Sequence, residues 1–533
     1  MIAKAVDTLV EVFSPARALK RRFDREKIAA LAKRAKRTEQ YASSKTDRMT
    51  GTWAPANTGV NDIIGLSSQN VRARVRQLVR DFPYFASAIN RLVDYTVGPG
   101  IVFQSKIQTA DGQLDRKRIR QVEDAVLFWM DDADFAKKLH FYEIMQLVKR
   151  QDVEAGEFII IKRYPNDRRY LPFALQVYEA DWLTTEFDTY TSAVARPPGP
   201  NEPKFEIRQG IKYDRFTGQI ISYFFCDPAA WGQTIEIFAK DIVHGFETLR
   251  PGQLRGISSF APGVLLAHDL QDYMDAEMDA AKMAAKYLAF VKTPDAKSRT
   301  MGLDTETNDT STQYIDEMEN AIIEYLNPGE EIEISSNPRP GTNFPPFVRL
   351  ILTMLSVTTG VPYELLSGDY QGMNYTTSRV SRNDFAFYLR PISARHVRQF
   401  CTRTITPFFD TAVAAGRLDL PNYFANPYPW LRSEWQPPGM DSVDPLREAK
   451  AAIDMKAALL KSPQELIRAR GKDPEEVLKE CAQWRDWLDE YDLTEEEVST
   501  ALANNPAAVD DQDKDERQII SLMKRLKGRK NAS

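Results

Sequence analysis

The residues best suited to chemistry are aspartates that recur at helical spacing in the middle of the chain. Asp272, Asp275 and Asp279 would share one side of a predicted helix, and carboxylate oxygens are the ligands that Mg²⁺ prefers. Metal-dependent nucleases take such ligands from several elements, whereas these three lie on one helix. A metal-dependent enzyme that processes nucleic acid is therefore only an alternative, and the sequence predicts no metal site.

The remaining groups with catalytic potential lack partners. His244 lies near Asp241 and Glu247, but the sequence offers it no Ser or Cys in a recognisable catalytic setting, so we interpret it as a structural, hydrogen-bonding histidine. Gly98-Pro99-Gly100 lacks GxGxxG spacing, and no GxxxxGK[ST] motif occurs in the chain. The sequence predicts no catalytic residue and no cofactor.

A polar loop follows a helix break in the stretch from Leu350 to Arg379. The apolar helix that begins this stretch should end at Gly360-Val361-Pro362, because Gly accepts the left-handed cap and Pro cannot donate the next backbone bond. With one carboxylate and no His, Cys or Lys, the polar loop is suited to contacts rather than to acid–base or metal chemistry. Its members are Ser367, Gly368, Asp369, Tyr370, Gln371, Gly372, Met373, Asn374, Tyr375 and Thr376.

Length, charge and cysteine content limit the class of protein. At 533 residues the chain should form two or more modules. Its net charge of -5, from 70 basic and 75 acidic residues, excludes a non-specific nucleic-acid binder, so any DNA contact must be local. Cys226, Cys401 and Cys481 have no CxxC spacing and are expected to be reduced and buried. The apolar run 350–355 is too short to span a bilayer, and we expect a soluble, cytoplasm-made protein with no membrane partner.

The phrase GVPYELLSGDYQGMNYTTSR, followed by an aromatic helix, resembles the portal proteins of tailed double-stranded DNA bacteriophages, of the lambda type. The similarity extends from about Asn70 to Glu480. It implies a mixed α+β portal fold in which long stem helices line the central channel of a ring, with twelve subunits in the family. A non-viral oligomeric scaffold is a further alternative, but it leaves the polar loop unexplained.

The resemblance also implies a function and a division of the chain. The ring would conduct double-stranded DNA through one capsid vertex of the virion during packaging and ejection, after assembly in the host cytoplasm. It would have no enzymatic activity and would dock terminase, then head–tail adaptor proteins, with major capsid and scaffold proteins as further partners. The implied regions are a basic N-terminal arm (1–56), the first wing segment (57–257), stem helix 1 (258–294), clip (295–342), stem helix 2 (343–366), tunnel loop (367–378), long helix and second wing segment (379–438), helical crown (439–503) and a disordered tail (504–533).

The acidic face of stem helix 1 would then line the channel. It comprises Asp269, Asp272, Asp275 and Asp279. Acidic residues near a helix start are also favoured by the helix dipole, and a charged face is often merely solvated. On a channel wall they would repel phosphates, so that DNA slides rather than sticks. Arg379 and Arg382, after the polar loop, would contact DNA or a neighbouring subunit.

Local patterns predict the surrounding elements. Prolines limit stem helix 1 to Pro262–Pro294, or about 45 Å, and Pro391 and Pro407 should bend or break the long helix. A capping box at Ser462 to Glu465 predicts a short helix. The predicted strands are Glu157–Arg163, Phe173–Tyr178, Ile207–Tyr213 and Gln219–Cys226, the last two joined by a hairpin turn at Asp214–Gly218.

Overall fold

A computed structural model describes residues 57–109, 111–189, 204–226, 232–286, 290–292, 331–333, 343–439 and 445–495, except positions 469, 471 and 473. The predicted N-terminal arm, most of the clip and the predicted disordered tail lie outside these residues. The described residues form both helices and sheets, as the sequence predicts.

The described chain contains twelve α-helices and eleven short strands. Several of the helices begin with proline in the first turn, where its missing N–H would be unpaired in any case. The helices are α1 (Val60–Asp81), α2 (Pro83–Thr96), α3 (Arg116–Asp131), α4 (Phe141–Glu154), α5 (Val264–Lys286), α6 (Phe344–Thr359), α7 (Tyr363–Ser367), α8 (Tyr375–His396), α9 (Thr402–Ala414), α10 (Pro445–Ala457), α11 (Pro463–Arg468) and α12 (Pro474–Glu490).

The strands are β1 (Val102–Ser105), β2 (Glu157–Arg163), β3 (Ala174–Tyr178), β4 (Phe205–Arg208), β5 (Ile211–Asp214), β6 (Ile220–Cys226), β7 (Thr234–Phe238), β8 (Ile242–Phe246), β9 (Phe290–Lys292), β10 (Glu331–Glu333) and β11 (Ser433–Gln436). They form antiparallel sheets, of which β3-β2-β8 and β4-β5-β6-β7 are the larger ones, and β1-β11 and β9-β10 are pairs.

One predicted strand is in fact a hairpin. The stretch Ile207–Tyr213 divides between β4 and β5 at Gln209 and Gly210, whose φ angles are 53° and 77°. Two successive positive φ angles make a tight two-residue turn of the type that joins twisted strands. The single-strand prediction was wrong because Gln is not typical of that conformation. The predicted strand Glu157–Arg163 and the hairpin between β5 and β6 are confirmed.

The three larger apolar clusters of the described residues hold the elements together. The largest surrounds Trp129, whose ring contacts Phe141, Phe173 and Phe408 and thereby joins α3, α4 and α9. A second lies where α1, α2, α5, α6 and α8 meet. The third packs the two larger sheets against each other. The second cluster therefore fixes the helices that carry the predicted site residues.

Both long helices differ from their predicted bounds. α5 starts at Val264, after a 3₁₀ turn over Ala261–Gly263, and has 23 residues, or about 35 Å at 1.5 Å per residue. The expected continuation to Pro294 is wrong, because Phe290–Lys292 pairs with β10 as a strand. Neither Pro391 nor Pro407 ends the later helix, which instead becomes a π-helix over Val397–Cys401 between α8 and α9.

Candidate functional site

Two left-handed glycines place the polar loop. Gly360 closes α6 with φ 73° and donates its N–H to Ser356 over 2.9 Å, which confirms the predicted break. Gly368 closes α7 in the same way, with φ 72° and a 2.9 Å bond to Glu364. Only glycine adopts this backbone without strain, so the chain reverses twice before α8 begins.

The loop itself is shorter than predicted. Ser367 is the last residue of α7, and Tyr375 and Thr376 belong to the first turn of α8. Asn374 caps α8, since its Oδ1 accepts hydrogen bonds from the backbone N–H of Thr377 at 2.8 Å and from its hydroxyl at 2.9 Å. The residues between the two helices are thus Gly368 to Asn374.

Asp369 stiffens the loop from within. Its carboxylate accepts hydrogen bonds from the Tyr363 hydroxyl at 3.2 Å and from the Gln371 N–H at 3.0 Å, while its own N–H donates to Ser367 Oγ. Burial, and then the hydrogen bond to Asp369, raise the pKa of Tyr363, so this phenol remains a donor. The single carboxylate of the loop therefore has a structural role.

Other loop side chains face solvent. Tyr370 is 55% exposed, and Gln371 and Asn374 are exposed as well. Tyr370 and Met373 line a cavity of about 200 Å³ together with Arg382. The ring of Tyr375 lies 5.9 Å from the guanidinium of Arg447, a distance that permits a cation–π contact with α10. Arg379 is exposed.

The acidic face lies on the solvent side of α5. The side chains of Asp269, Asp272 and Asp279 are 78%, 67% and 72% exposed, and Asp275 is exposed too. At about 100° per residue the four span roughly 120° of the helix, opposite the buried Leu270. Within the described ranges, no group of three or more His, Cys, Asp or Glu side chains is arranged to hold a metal ion.

Sequence reasoning missed a buried charged network at the base of α5. Glu157, the first residue of β2, is fully buried and pairs with Arg255, whose Nη2 lies 2.6 Å from Oε1 and whose Nε lies 2.9 Å from Oε2. The Gly256 N–H donates to Glu157 Oε2 at 3.0 Å. His244 Nε2 lies 3.1 Å from the same oxygen, and His244 Nδ1 lies 3.2 Å from the Tyr223 hydroxyl. The structural interpretation of His244 is confirmed.

This network of buried charges stabilises the packing of the chain and is not arranged for acid–base chemistry. Burial alone would raise the pKa of Glu157, but the Arg255 charge and hydrogen bonds from His244 and Arg255 outweigh it and hold that pKa well below the ordinary carboxyl range. Arg72 of α1, 3% exposed, adds a further positive charge 3.7 Å away. Glu157 therefore stays ionised and ties α1, β2 and β8 to the segment that leads into α5.

Two glycines allow the backbones to touch beside this network. A Cβ built on Gly156 would lie 2.0 Å from the carbonyl carbon of Ile257, and one on Gly256 would lie 2.0 Å from the Gly156 oxygen. Gly156 also has φ 82°. The backbone of the segment that leads into α5 thus contacts the backbone at the start of β2 directly. No single sequence motif predicts this contact.

A second ionic cluster fastens α8 to α4. Lys149 lies 2.7 Å from Asp152, Arg395 bridges Asp152 at 3.1 Å and Glu247 at 3.0 Å, and all but Glu247 are largely shielded from solvent. Arg395, on the same helix as Arg379 and Arg382, has its ionic partners in its own chain. Burial lowers the pKa of the adjacent His396 to about 3, with the Lys149 charge acting in the same direction.

Comparison with known proteins gives a consistent result. A family model described as "Phage portal protein, lambda family" matches residues 46–390. A "Probable portal protein" of Halomonas phage phiHAP-1 is 25% identical over 84% of this chain and 86% of its own length. "Portal protein B" of Escherichia phage lambda is 22% identical over 80% and 85%.

A solved chain titled "Neck of empty GTA particle computed with C6 symmetry" covers 80% of this chain and 99% of its own, with 15% identity and a TM-score of 0.45. As for membranes, none of the helices in the described ranges combines the length and apolarity needed to cross one.

Proposed function

Because the chain belongs to the lambda family of phage portal proteins, which are structural, ring-forming components of the virion and not enzymes, we propose that it forms the ring at one capsid vertex through which double-stranded DNA is packaged and ejected. The proposed ring has twelve subunits. The observation that carries the proposal is the pairing of an acidic, solvent-facing α5 with an adjacent helix, α6, that is apolar on two sides.

The acidic face is suited to a channel wall. Four exposed carboxylates lie along one side of α5, and the one lysine beside them, Lys282, is paired with Asp279 at 3.0 Å, so the face is acidic as a whole. In a confined channel their field repels the DNA polyanion and keeps it centred. Movement through the ring then meets no strong binding site on this face.

The apolar surface of α6 is suited to contact with a neighbouring subunit. Ile351 and Leu355 are buried inside the chain, while Leu350, Met354 and Val357 on the other side are 57%, 50% and 81% exposed. A stripe of exposed apolar side chains on a helix marks an interaction surface, so the neighbour is proposed to cover this side. A closed ring needs such a contact between two different surfaces.

The polar loop is proposed to be the DNA-facing tunnel loop. Its ends are fixed by the Gly368 reversal and the Asn374 cap, and Asp369 ties its middle to α7. Tyr370 and Gln371 are thereby presented to solvent on a short, stiff support. Arg379 and Arg382 follow on the same helix start and complete the proposed contact surface.

The remaining partners are proposed from the family alone. The clip (295–342) would dock terminase and later the head–tail adaptors, the wing would meet the major capsid protein, and scaffold protein would guide assembly of the ring in the host cytoplasm. The crown (439–503) would sit inside the head.

Imaging and packaging assays test the proposal together. Electron microscopy of the purified full-length protein should show closed rings with an open centre, and open chains or monomers under all conditions would contradict the ring.

Tyr370→Ala should leave rings intact and reduce DNA packaged per particle. Tyr428→Ala is the matched control, because that tyrosine is 79% exposed outside the loop. Equal packaging by both variants would refute the role of the loop.

DNA affinity tests the acidic face separately. Replacing its four aspartates by asparagine should raise the affinity of the ring for double-stranded DNA at low salt, with a steeper salt dependence, because repulsion is removed. The control replaces four other exposed aspartates, and an equal rise there would mean only that net charge matters. These control residues are Asp81, Asp111, Asp124 and Asp131.

A further inference from the structure

The C-terminal helices α10 to α12 bury little of their own apolar surface. Within residues 445–495 the buried apolar cluster consists of Leu488 and Leu493, with Trp484 and Tyr491 packed around them. Ile453, Leu459, Leu460 and Leu478 are 66%, 92%, 75% and 64% exposed. Isolated exposed leucines are ordinary, but four in about 50 residues with so small a core indicate a surface that something else covers.

The surface of α12 has a defined chemistry. Leu478 and Cys481 are exposed one turn apart, and at about 100° per residue Asp489 lies on the same side. From Pro474 to Glu495 the chain carries eight acidic and two basic side chains. We call the side marked by Leu478, Cys481 and Asp489 the α12 surface. It also carries Arg485, whose charge is offset by Glu495 at 3.9 Å. The α12 surface fits an apolar ligand with positive charge around it.

One segment of this chain has that complementary pattern. In Arg517 to Lys530 the apolar residues Ile519, Leu522, Met523 and Leu526 follow i, i+3, i+4 and i+7 spacing, which predicts one face of a helix. The same segment holds six basic residues and no acidic one, namely Arg517, Lys524, Arg525, Lys527, Arg529 and Lys530. Charge and apolar spacing thus match the α12 surface together.

The connection is long enough. Residues 496–516 separate the two, and a chain of 21 residues can reach up to about 70 Å when extended. α12, with 17 residues, is itself about 26 Å long. We propose that residues 517–530 bind the α12 surface of their own chain as an amphipathic helix, with the apolar face on Leu478 and the basic residues beside the acidic side chains.

The apolar spacing is what favours this partner over DNA. Phosphate contacts need only positive charge, and they would leave Ile519, Leu522, Met523 and Leu526 without a role. Docking on the α12 surface would bury those side chains and also pair the charges.

Disulfide trapping in the full-length protein tests the proposal. The expected burial of all three cysteines is wrong for Cys481, which is exposed, whereas Cys401 is buried and Cys226 half-buried. Met523→Cys should therefore form its disulfide with Cys481 under mild oxidation. Ser521→Cys is the matched control, because two residues along a helix place it about 160° from Met523, on the opposite face. We expect trapping at position 523 to be about fivefold faster or more, as for a thiol held at high effective concentration.

Each outcome decides the matter. Equal trapping at positions 521 and 523, or none, would overturn the docking, and a disulfide that links two chains would overturn the same-chain assignment. Leu478→Ser and Asp489→Lys, each with unchanged circular dichroism, should slow trapping at position 523 severalfold. If double-stranded DNA abolishes trapping while Leu478→Ser does not slow it, the segment binds DNA and the proposal fails.

Discussion

Replacing Gly156 by alanine tests whether the segment that leads into α5 is pressed against the start of β2. The new Cβ would lie 2.0 Å from the Ile257 carbonyl carbon and 2.3 Å from the Ser258 nitrogen. These are backbone atoms, so no side-chain rotation can relieve the contact. The residue also has φ 82°, a conformation that alanine adopts only with strain.

The two effects can be separated in magnitude. The left-handed conformation costs about 1–2 kcal/mol for a residue with a Cβ, and overpacking of a closed contact adds about 1–3 kcal/mol. Gly156→Ala should therefore reduce the free energy of unfolding by about 2–5 kcal/mol. Gly218→Ala is the matched control, because Gly218 has φ 72° and nothing within 4 Å of its added Cβ. It should show only the conformational cost.

The assay is thermal unfolding of the full-length variants by circular dichroism, at matched concentration and oligomeric state, since association shifts apparent stability. The excess loss of about 1–3 kcal/mol corresponds to a further decrease in Tm of roughly 2–12 °C for a module of about 150–250 residues. If Gly156→Ala and Gly218→Ala lower the Tm equally, the direct backbone contact between residues 156 and 257 is refuted.

Three more perturbations test the ionic clusters and the loop. In urea unfolding, Glu157→Gln should reduce the free energy of unfolding by about 3–5 kcal/mol, because it leaves the buried Arg255 charge uncompensated. The control Glu154→Gln removes a helical i,i+4 pair and should reduce that free energy by about 0.5 kcal/mol or less. Similar losses in the two variants would refute the stabilising role of the buried network. His396 has a pKa of about 3 in the folded chain and an ordinary pKa near 6.5 when unfolded. The free energy of unfolding should thus fall by about 1.4 kcal/mol per pH unit as pH decreases from about 6.5 towards 3. His396→Phe should flatten that slope, and an unchanged slope would contradict the lowered pKa of His396. Asn374→Ala should cost about 0.5–2 kcal/mol and speed amide hydrogen exchange in the first turn of α8, and unchanged exchange there would exclude the cap.

The sequence by itself determined features that depend on neighbouring residues. The break at Gly360-Val361-Pro362, the strand Glu157–Arg163 and the capping box, in which Ser462 and Glu465 exchange hydrogen bonds at 3.1 Å, all follow from local conformational preference. The acidic face of α5 could also be predicted from the sequence, because helical spacing alone puts its four aspartates on one side. Its exposure in the single chain agrees with that pattern.

Only the tertiary structure decided which distant residues meet. Glu157 and Arg255 are 98 positions apart, and nothing in either local pattern selects the other as partner. The same holds for Arg395, which pairs with Asp152 and Glu247. Local propensity acts over a few residues, whereas the pairing of buried charges and the close contact of Gly156 with Ile257 depend on how sheets and helices pack.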